Sequence, residues 1–345
     1  MLDVFTEEVL TGELPKGFGA RPATMADAPA VTELLNASAV AQIGYEEFDL
    51  EETYVEWQTP GFDLERSSQV VLSPEGMIVG YMEVWDVAET PVHPWLWGRV
   101  HPDYEGLGIG SYLLDWAEAR ARQALSRLPA HALFSVRAGC VSTYQPTKAL
   151  FEARGMKMVR HFYRMVIDLE QPPAPPRFPP HIVVRTLVER PDLRAIFQAV
   201  EESFSDHWGH VPESEEKVLA RWRHMMETDK DFDPALWFLA MDGEEIAGIS
   251  LCSPRLPEDE NLGWVGILGV RRPWRRQGLG LALLQYSFVE MYARGKQRVG
   301  LGVDAGSLTG ATRLYEKAGM AVTRRFDTYD KLIRPGEELS LETLE

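Results

Sequence analysis

Three landmarks occur twice in this chain of 345 residues, in the same order and at nearly one offset. ARPATMADAPAVTELL (20–35) is answered by VVRTLVERPDLRAIF (183–197). GLGIGSYLLDWAEARARQ (106–123) is answered by RRQGLGLALLQYSFVEMYARG (275–295), and ALFEARGMKMVRHFYRMVID (149–168) by RLYEKAGMAVTRRFDTYDKLI (313–333). Arg21 to Arg185 and Gly155 to Gly319 are each 164 residues apart, and Gly108 to Gly278 is 170. Such a chain is a duplication, so the fold must be one that either half can build. Between the halves, QPPAPPRFPPH (171–181) carries six prolines in eleven residues, which excludes a helix or an interior strand. The expected domains are therefore 1–170, a Pro-rich linker at 171–181, and 182–345.

Each half repeats one pattern. A short strand precedes a helix (about 26–37 and 191–204), and a second helical stretch follows (about 50–58 and 214–227). Strand pairs turn at Pro74-Glu75-Gly76 and at Asp242-Gly243. A further strand ends at Val100 and at Val270, and a glycine-rich turn opens an amphipathic helix (about 108–126 and 278–294). Gly155 and Gly319 stand where a glycine ends a last helix, before terminal strands. This alternation predicts an α/β (α+β) fold: two tandem domains, each a mixed, mostly antiparallel sheet flanked by helices.

The net charge of −17 argues against a nucleic-acid partner, which needs concentrated Lys and Arg, and suits a solvated surface or attraction of a cationic amine. No apolar run reaches the length of a membrane span, so no membrane partner is expected. The two cysteines, Cys140 and Cys252, have no metal-ligand spacing; they read as core residues in a reducing compartment. No metal is expected. The start, MLDVFTEEVLTGEL (1–14), lacks the pattern of a signal peptide, which adds to the expectation of a cytoplasmic protein. The acidic tail PGEELSLETLE (335–345) reads as a solvated terminus.

The segment LGVRRPWRRQGLGLALL (268–284) carries the chemistry. An apolar strand runs into a turn with Gly278 and Gly280, then into a helix. Glycines expose successive N–H groups, the helix N-terminus adds partial positive charge, and Arg271, Arg272, Arg275 and Arg276 add cations. A pyrophosphate is the natural guest. The pattern is not the dinucleotide fingerprint, because no third glycine follows.

Arg275-Arg276-Gln277-Gly278-Leu279-Gly280 resembles the acetyl-CoA motif of the GNAT superfamily, [Q/R]-x-x-G-x-[G/A], and the Leu283-Leu284 pair fits too. VDAGSLTGATRLYEKAGM (303–320) resembles that superfamily's later motif, with Ser307 at its Asn, Tyr315 at its Tyr and Met320 at its Phe. The resemblance implies an N-acetyltransferase using acetyl-CoA as cosubstrate. Backbone groups of Arg275, Arg276, Gln277, Gly278, Leu279, Gly280 and Leu281 would hold the pyrophosphate, with the arginines in support. A main-chain N–H among Leu268, Gly269 and Val270 would polarise the thioester carbonyl. The acceptor amine would attack directly, and Tyr315 would protonate the departing thiolate.

The first copy departs from this pattern. At the same turn Glu105 replaces Arg275, and Phe151, which has no proton to give, replaces Tyr315. This copy is expected not to catalyse. Tandem copies with an active second half resemble the mycothiol synthases in architecture. In those the base is commonly a Glu in the strand before the turn; here Trp264 stands at about that place. Base candidates are Asp304 at a strand end and Asp206 or His207 in SFSDHWGHVPES; Asp206, His207, Trp208 and Trp264 are also the acceptor-site candidates. The acceptor is expected to be a small-molecule amine; a peptide acceptor and a non-catalytic CoA-binding scaffold are the alternatives, and a homodimer through terminal strands is compatible with the sequence.

Overall fold

The computed structural model describes residues 12–307 and 310–341. Most of the amino-terminal segment judged above for a signal peptide, and the last four residues of the acidic tail, lie outside them.

The elements follow the repeat. The first half holds β1 (Gly19–Arg21), α1 (Ala28–Ile43), α2 (Leu50–Trp57), the short α3 (Leu64–Ser67), β2 (Ser68–Leu72), β3 (Ile78–Trp85), β4 (Trp95–Val100), α4 (Ile109–Ala121), β5 (Phe134–Val141), α5 (Gln145–Ala153) and β6 (Lys157–Asp168). The second holds β7 (Ile182–Thr186), α6 (Leu193–Phe204), α7 (Glu215–Thr228), β8 (Trp237–Asp242), β9 (Glu245–Ser253), β10 (Leu262–Val270), α8 (Leu279–Ala293), β11 (Arg298–Asp304), α9 (Ala311–Lys317) and β12 (Ala321–Arg334). Both expected hairpins form, with Gly76 and Gly243 at positive φ in their turns.

The chain folds into two compact units, but these do not follow the halves of the sequence. The first takes the described residues up to Val159 together with Thr328–Glu337; the second takes Arg160–Asp327 and the described residues from Glu338. Each unit is completed by the last strand of the other half. In the first, β1 to β4 are antiparallel, β4 runs parallel to β5, and the end of β12 lies beside β5. There Asp330 accepts from Ser135 Oγ at 2.5 Å and from Arg137 Nε at 3.1 Å. In the second the order is β6-β11-β10-β9-β8-β7, with β10 and β11 parallel and the other pairs antiparallel. β6 runs along β11 from Phe162 opposite Asp304 to Asp168 opposite Arg298. An open sheet edge is a row of unsatisfied backbone groups, and the exchanged strands cover one in each unit. The Pro-rich segment consequently lies inside the second unit and does not divide the two; its Phe178 packs edge-on against Tyr286 of α8 at 6.0 Å.

In the second unit, α8 presses Leu279, Leu283 and Phe288 onto one sheet face, against Ala247 and Val265. On the other face α6 presents Ile196 and Ala199 to Leu239 and Ile249. Its apolar residues recur at helical spacing, and Asp192 caps it by accepting from Ala195 N–H at 3.0 Å, worth about 1 kcal/mol. In the first unit α1 packs Val31, Leu34 and Leu35 against Val70 and Tyr81. Among the described residues no helix is long and apolar enough to cross a membrane, and no group of His, Cys, Asp and Glu side chains is placed to hold a metal. Neither cysteine is in a disulfide, and both are buried.

Candidate active site

The glycine turn of the second unit is built as an anion cradle. The chain leaves β10, makes a short 3-10 turn over Arg272–Trp274 and enters α8 through Gly278 at φ 83°. The first helical backbone bond joins Ala282 N–H to the Gly278 carbonyl, so the N–H groups from Arg276 to Leu281 have no partner among the described residues. Six consecutive free donors at a helix N-terminus are the arrangement that binds phosphate oxygens.

The four arginines divide their labour. Arg271 bonds Glu202 at 2.6 Å and lies over Trp274 at 5.0 Å. Arg275, expected to support the pyrophosphate, turns its guanidinium to Asp206 at 2.5 and 3.2 Å, to the Ser203 carbonyl at 3.0 Å and to the Val270 carbonyl at 2.9 Å. It clamps the end of α6 to the turn. Arg272 is more loosely drawn to the same carboxylate, at 3.7 Å. Arg276 is exposed, its side chain held by no hydrogen bond or ion pair among the described residues. It is also the only non-glycine residue at positive φ among them, at 62°. That conformation costs about 1–2 kcal/mol, so the arginine is kept where a glycine would be easier. Gln277 is exposed and bonds only the Pro273 carbonyl, at 3.3 Å.

Beside the turn β10 is irregular. A bulge at Gly266 shifts its register with β9 between Val265 and Ile267, and its parallel ladder with β11 ends at Val265 opposite Leu301. Beyond that pair the strand edge is open, and a cavity of about 210 Å³ occupies the opening. Leu268 lines it. Gly269 does not; a side chain there would meet the Ser203 Cβ at 2.8 Å, so its smallness serves the close approach of α6. Val270 packs against the α8 core.

Of the sequence-derived candidates, Tyr315, Asp304, His207 and Trp208 come together in the cavity wall. Tyr315 is 8% exposed and among the described residues no hydrogen bond holds its hydroxyl; burial pushes the phenol up to about 12, so it enters neutral, with its proton. His207 packs on Phe204 at 4.4 Å, and burial lowers its pKa below the ordinary imidazole value despite the nearby Asp206. It therefore stands neutral, able to accept a proton. Asp304 is otherwise engaged: Arg160 grips both carboxylate oxygens at 2.8 and 2.7 Å, and the Gly306 N–H adds a bond at 2.9 Å. Arg160 also lies over Trp208 at 5.3 Å.

Asp206 and Trp264 are not part of the wall. Burial pushes the Asp206 carboxyl up, but the hydrogen bonds and charge of Arg275 outweigh this and hold it below its usual value. It is a clamp for the turn. Trp264 covers Gly300 of β11 and carries the Arg164 guanidinium at 5.2 Å. The wall also holds two phenylalanines that were not among the candidates. Phe204 sits in the stretch SFSDHWGHVPES, whereas Phe162 comes with Arg160 from β6, in the first half of the chain, where no local pattern pointed to this site.

The first unit repeats the turn and changes its surroundings. Gly106 and Gly108 have φ of 77° and 86°, and the N–H groups from Gly106 to Ser111 are likewise unpaired among the described residues. They open on a cavity of about 400 Å³ that Phe151 lines. Glu105 accepts from the Tyr144 hydroxyl at 2.6 Å. β4 pairs with β3 without a bulge.

A tandem pair of sheets, each with a strand, an N–H cradle and a helix in succession, defines a fold class, and known proteins share it. The chain matches the acetyltransferase (GNAT) family over residues 29–156 and 193–320, and belongs to it; it is a GNAT-type N-acetyltransferase, of a family that uses acetyl-CoA. It is 29% identical over 254 residues, 71% of this chain and 69% of the relative, to a mycothiol acetyltransferase of Cellulomonas flavigena. A solved GCN5-related N-acetyltransferase from Sphaerobacter thermophilus is 37% identical, with a TM-score of 0.78 over 95% of this chain and 99% of its own. A tandem GNAT protein from the clavulanic acid biosynthesis pathway, 15% identical, shares the fold at a TM-score of 0.66 over 93% of this chain and all of its own.

Proposed function

We propose that the second unit transfers the acetyl group of acetyl-CoA to the primary amine of a small-molecule acceptor by direct attack, and that the first unit does not catalyse. The observation that carries this reading is the pairing, in one cavity beside the open edge of β10, of a neutral imidazole with a phenol that has no hydrogen-bond partner among the described residues. The relatives named for a small-molecule acetyl transfer support the same acceptor size.

Acetyl-CoA supplies an activated thioester. The six N–H groups from Arg276 to Leu281 hold its pyrophosphate, with the Arg276 side chain as the available cation. Unpaired backbone N–H groups of β10 past the bulge stabilise negative charge on the carbonyl oxygen. His207 takes the proton that the attacking amine releases, and Tyr315 gives its proton to the departing sulfur. Asp304 holds Arg160 and Trp208 in place and is not the base in this reading. A neutral His207 is the active form, and its depressed pKa puts the acid limb of kcat/KM below pH ~6.5. His207→Gln abolishes that limb and lowers kcat by about a hundredfold, read as amine-dependent CoA release across pH. A variant that keeps both limb and rate removes His207 from the mechanism.

A further inference from the structure

The cavity that holds His207 and Tyr315 also limits what the acceptor can be. Its volume, about 210 Å³, is below the range of about 300–1,000 Å³ typical for drug-sized ligands. The acetyl thioester, lying on the β10 edge beside Tyr315 in this reading, takes part of that space, so the acceptor's share is smaller still. Three aromatic side chains, Phe162, Phe204 and Trp208, line the cavity together with Val265, Leu301 and Val303. Few side chains in this lining can serve a polar body. Asp304 is gripped by Arg160, and His207 and Tyr315 are taken up by the two proton transfers. Among the described residues Ser307 contributes the one other side-chain hydroxyl. A polyhydroxylated amine would bury hydroxyls without partners here, which is costly, whereas an apolar ring would replace water at every wall.

We propose that the acceptor is a compact arylalkylamine: a primary amine on a short chain from a single aromatic or branched apolar body. The amine enters as a cation, which the chain's acidic surface favours. It leaves its protons to His207 and solvent, and the ring lies against Phe162 and Trp208, themselves 6.4 Å apart between ring centres. Arg160, over the outer ring, fixes Trp208 for that contact. Because β6 supplies both Arg160 and Phe162, acceptor choice in the second unit is written in the first half of the chain.

This inference rests on the amine-transfer reading above, so the test separates the two. The full chain is assayed for CoA release from acetyl-CoA with 2-phenylethylamine and with glucosamine, beside a calorimetric titration of acetyl-CoA alone. The expected result is a kcat/KM for 2-phenylethylamine at least about a hundredfold higher, the scale on which unpaired buried polar groups discriminate. Phe162→Ala then raises KM for that amine and leaves KM for acetyl-CoA unchanged, a split that general loss of fold would not give. Equal or better turnover of glucosamine overturns the arylalkylamine assignment and leaves the transferase reading standing. Turnover of neither amine, with acetyl-CoA bound, overturns both.

Discussion

The two glycine turns share one backbone and differ in what surrounds it. Both enter their helix through a glycine near φ 85°, and both leave six N–H groups unpaired among the described residues. Around that common cradle the second unit has a bulged strand, a phenol in the cavity and an arginine clamp; the first has a regular strand, Phe151 and Glu105. The difference teaches that a phosphate cradle and a catalytic centre are separable properties of the fold. The cradle is a local matter of glycines and a helix start, and survives duplication unchanged. Catalysis needs side chains from several elements at once.

Tyr315→Phe tests this hardest. It keeps the ring and removes the proton, so kcat falls by about 10²–10³-fold while acetyl-CoA binding is retained. In that background Phe151→Tyr with Glu105→Arg restores no amine-dependent CoA release, because among the described residues no histidine lines the first cavity. Restored turnover would show that these two side chains alone separate the units. Gly278→Glu follows in size. Nothing lies within 4 Å of a side chain begun there, so the damage is positive-φ strain and a carboxylate beside the phosphates. Acetyl-CoA affinity in the second unit drops at least about tenfold and turnover falls with it, whereas Gly108→Glu leaves turnover intact. Loss of turnover in Gly108→Glu would make the first cradle part of the reaction.

Much of this was legible before any coordinates. The repeat gave the element order twice over, and the turn and Tyr315 could be found because each is a short local pattern. What escaped was non-local. No spacing announces that β6 leaves its own half to pair with β11 and bring Arg160 and Phe162 to the cavity, nor that the Pro-rich segment connects two strands of one unit. Side-chain direction escaped for the same reason. Arg275 matches the motif letter for letter, but α6 brings Asp206 within 2.5 Å, and the guanidinium follows the buried carboxylate. Asp304 stands at a strand end as its spacing suggests, but no spacing announces the Arg160 guanidinium on it.

The clamp gives a smaller effect, on stability. Asp206 is 6% exposed, and Arg275→Ala leaves its charge buried without its main partner, a loss of about 3 kcal/mol. Glu105→Ala, at the same place in the first unit, breaks a single half-buried hydrogen bond and costs about 1 kcal/mol. Urea unfolding of the two variants measures the contrast. Equal losses would mean that the clamp contributes no more than one half-buried hydrogen bond.

The smallest effect separates the units by pH. Glu83 of β3 is fully buried, accepting from Tyr81 Oη at 2.5 Å and Trp85 Nε1 at 2.6 Å. Burial, then the charge of Glu56, push its carboxyl up to about 8 against those bonds and the Arg99 charge. The second unit has the apolar Leu251 at the matching register, opposite Ile267 as Glu83 is opposite Trp97. A carboxyl raised on folding contributes stability that is complete below its unfolded value and is lost as pH rises through its folded value. From pH 6 to pH 8 the first unit therefore loses on the order of 2 kcal/mol, or about 4–8 °C in its unfolding temperature, through Glu83. Glu83→Gln removes this titration and brings the two unfolding temperatures together, while Leu251→Gln creates no such slope in the second unit. An unchanged slope in Glu83→Gln would place the titrating proton on another group of the first unit.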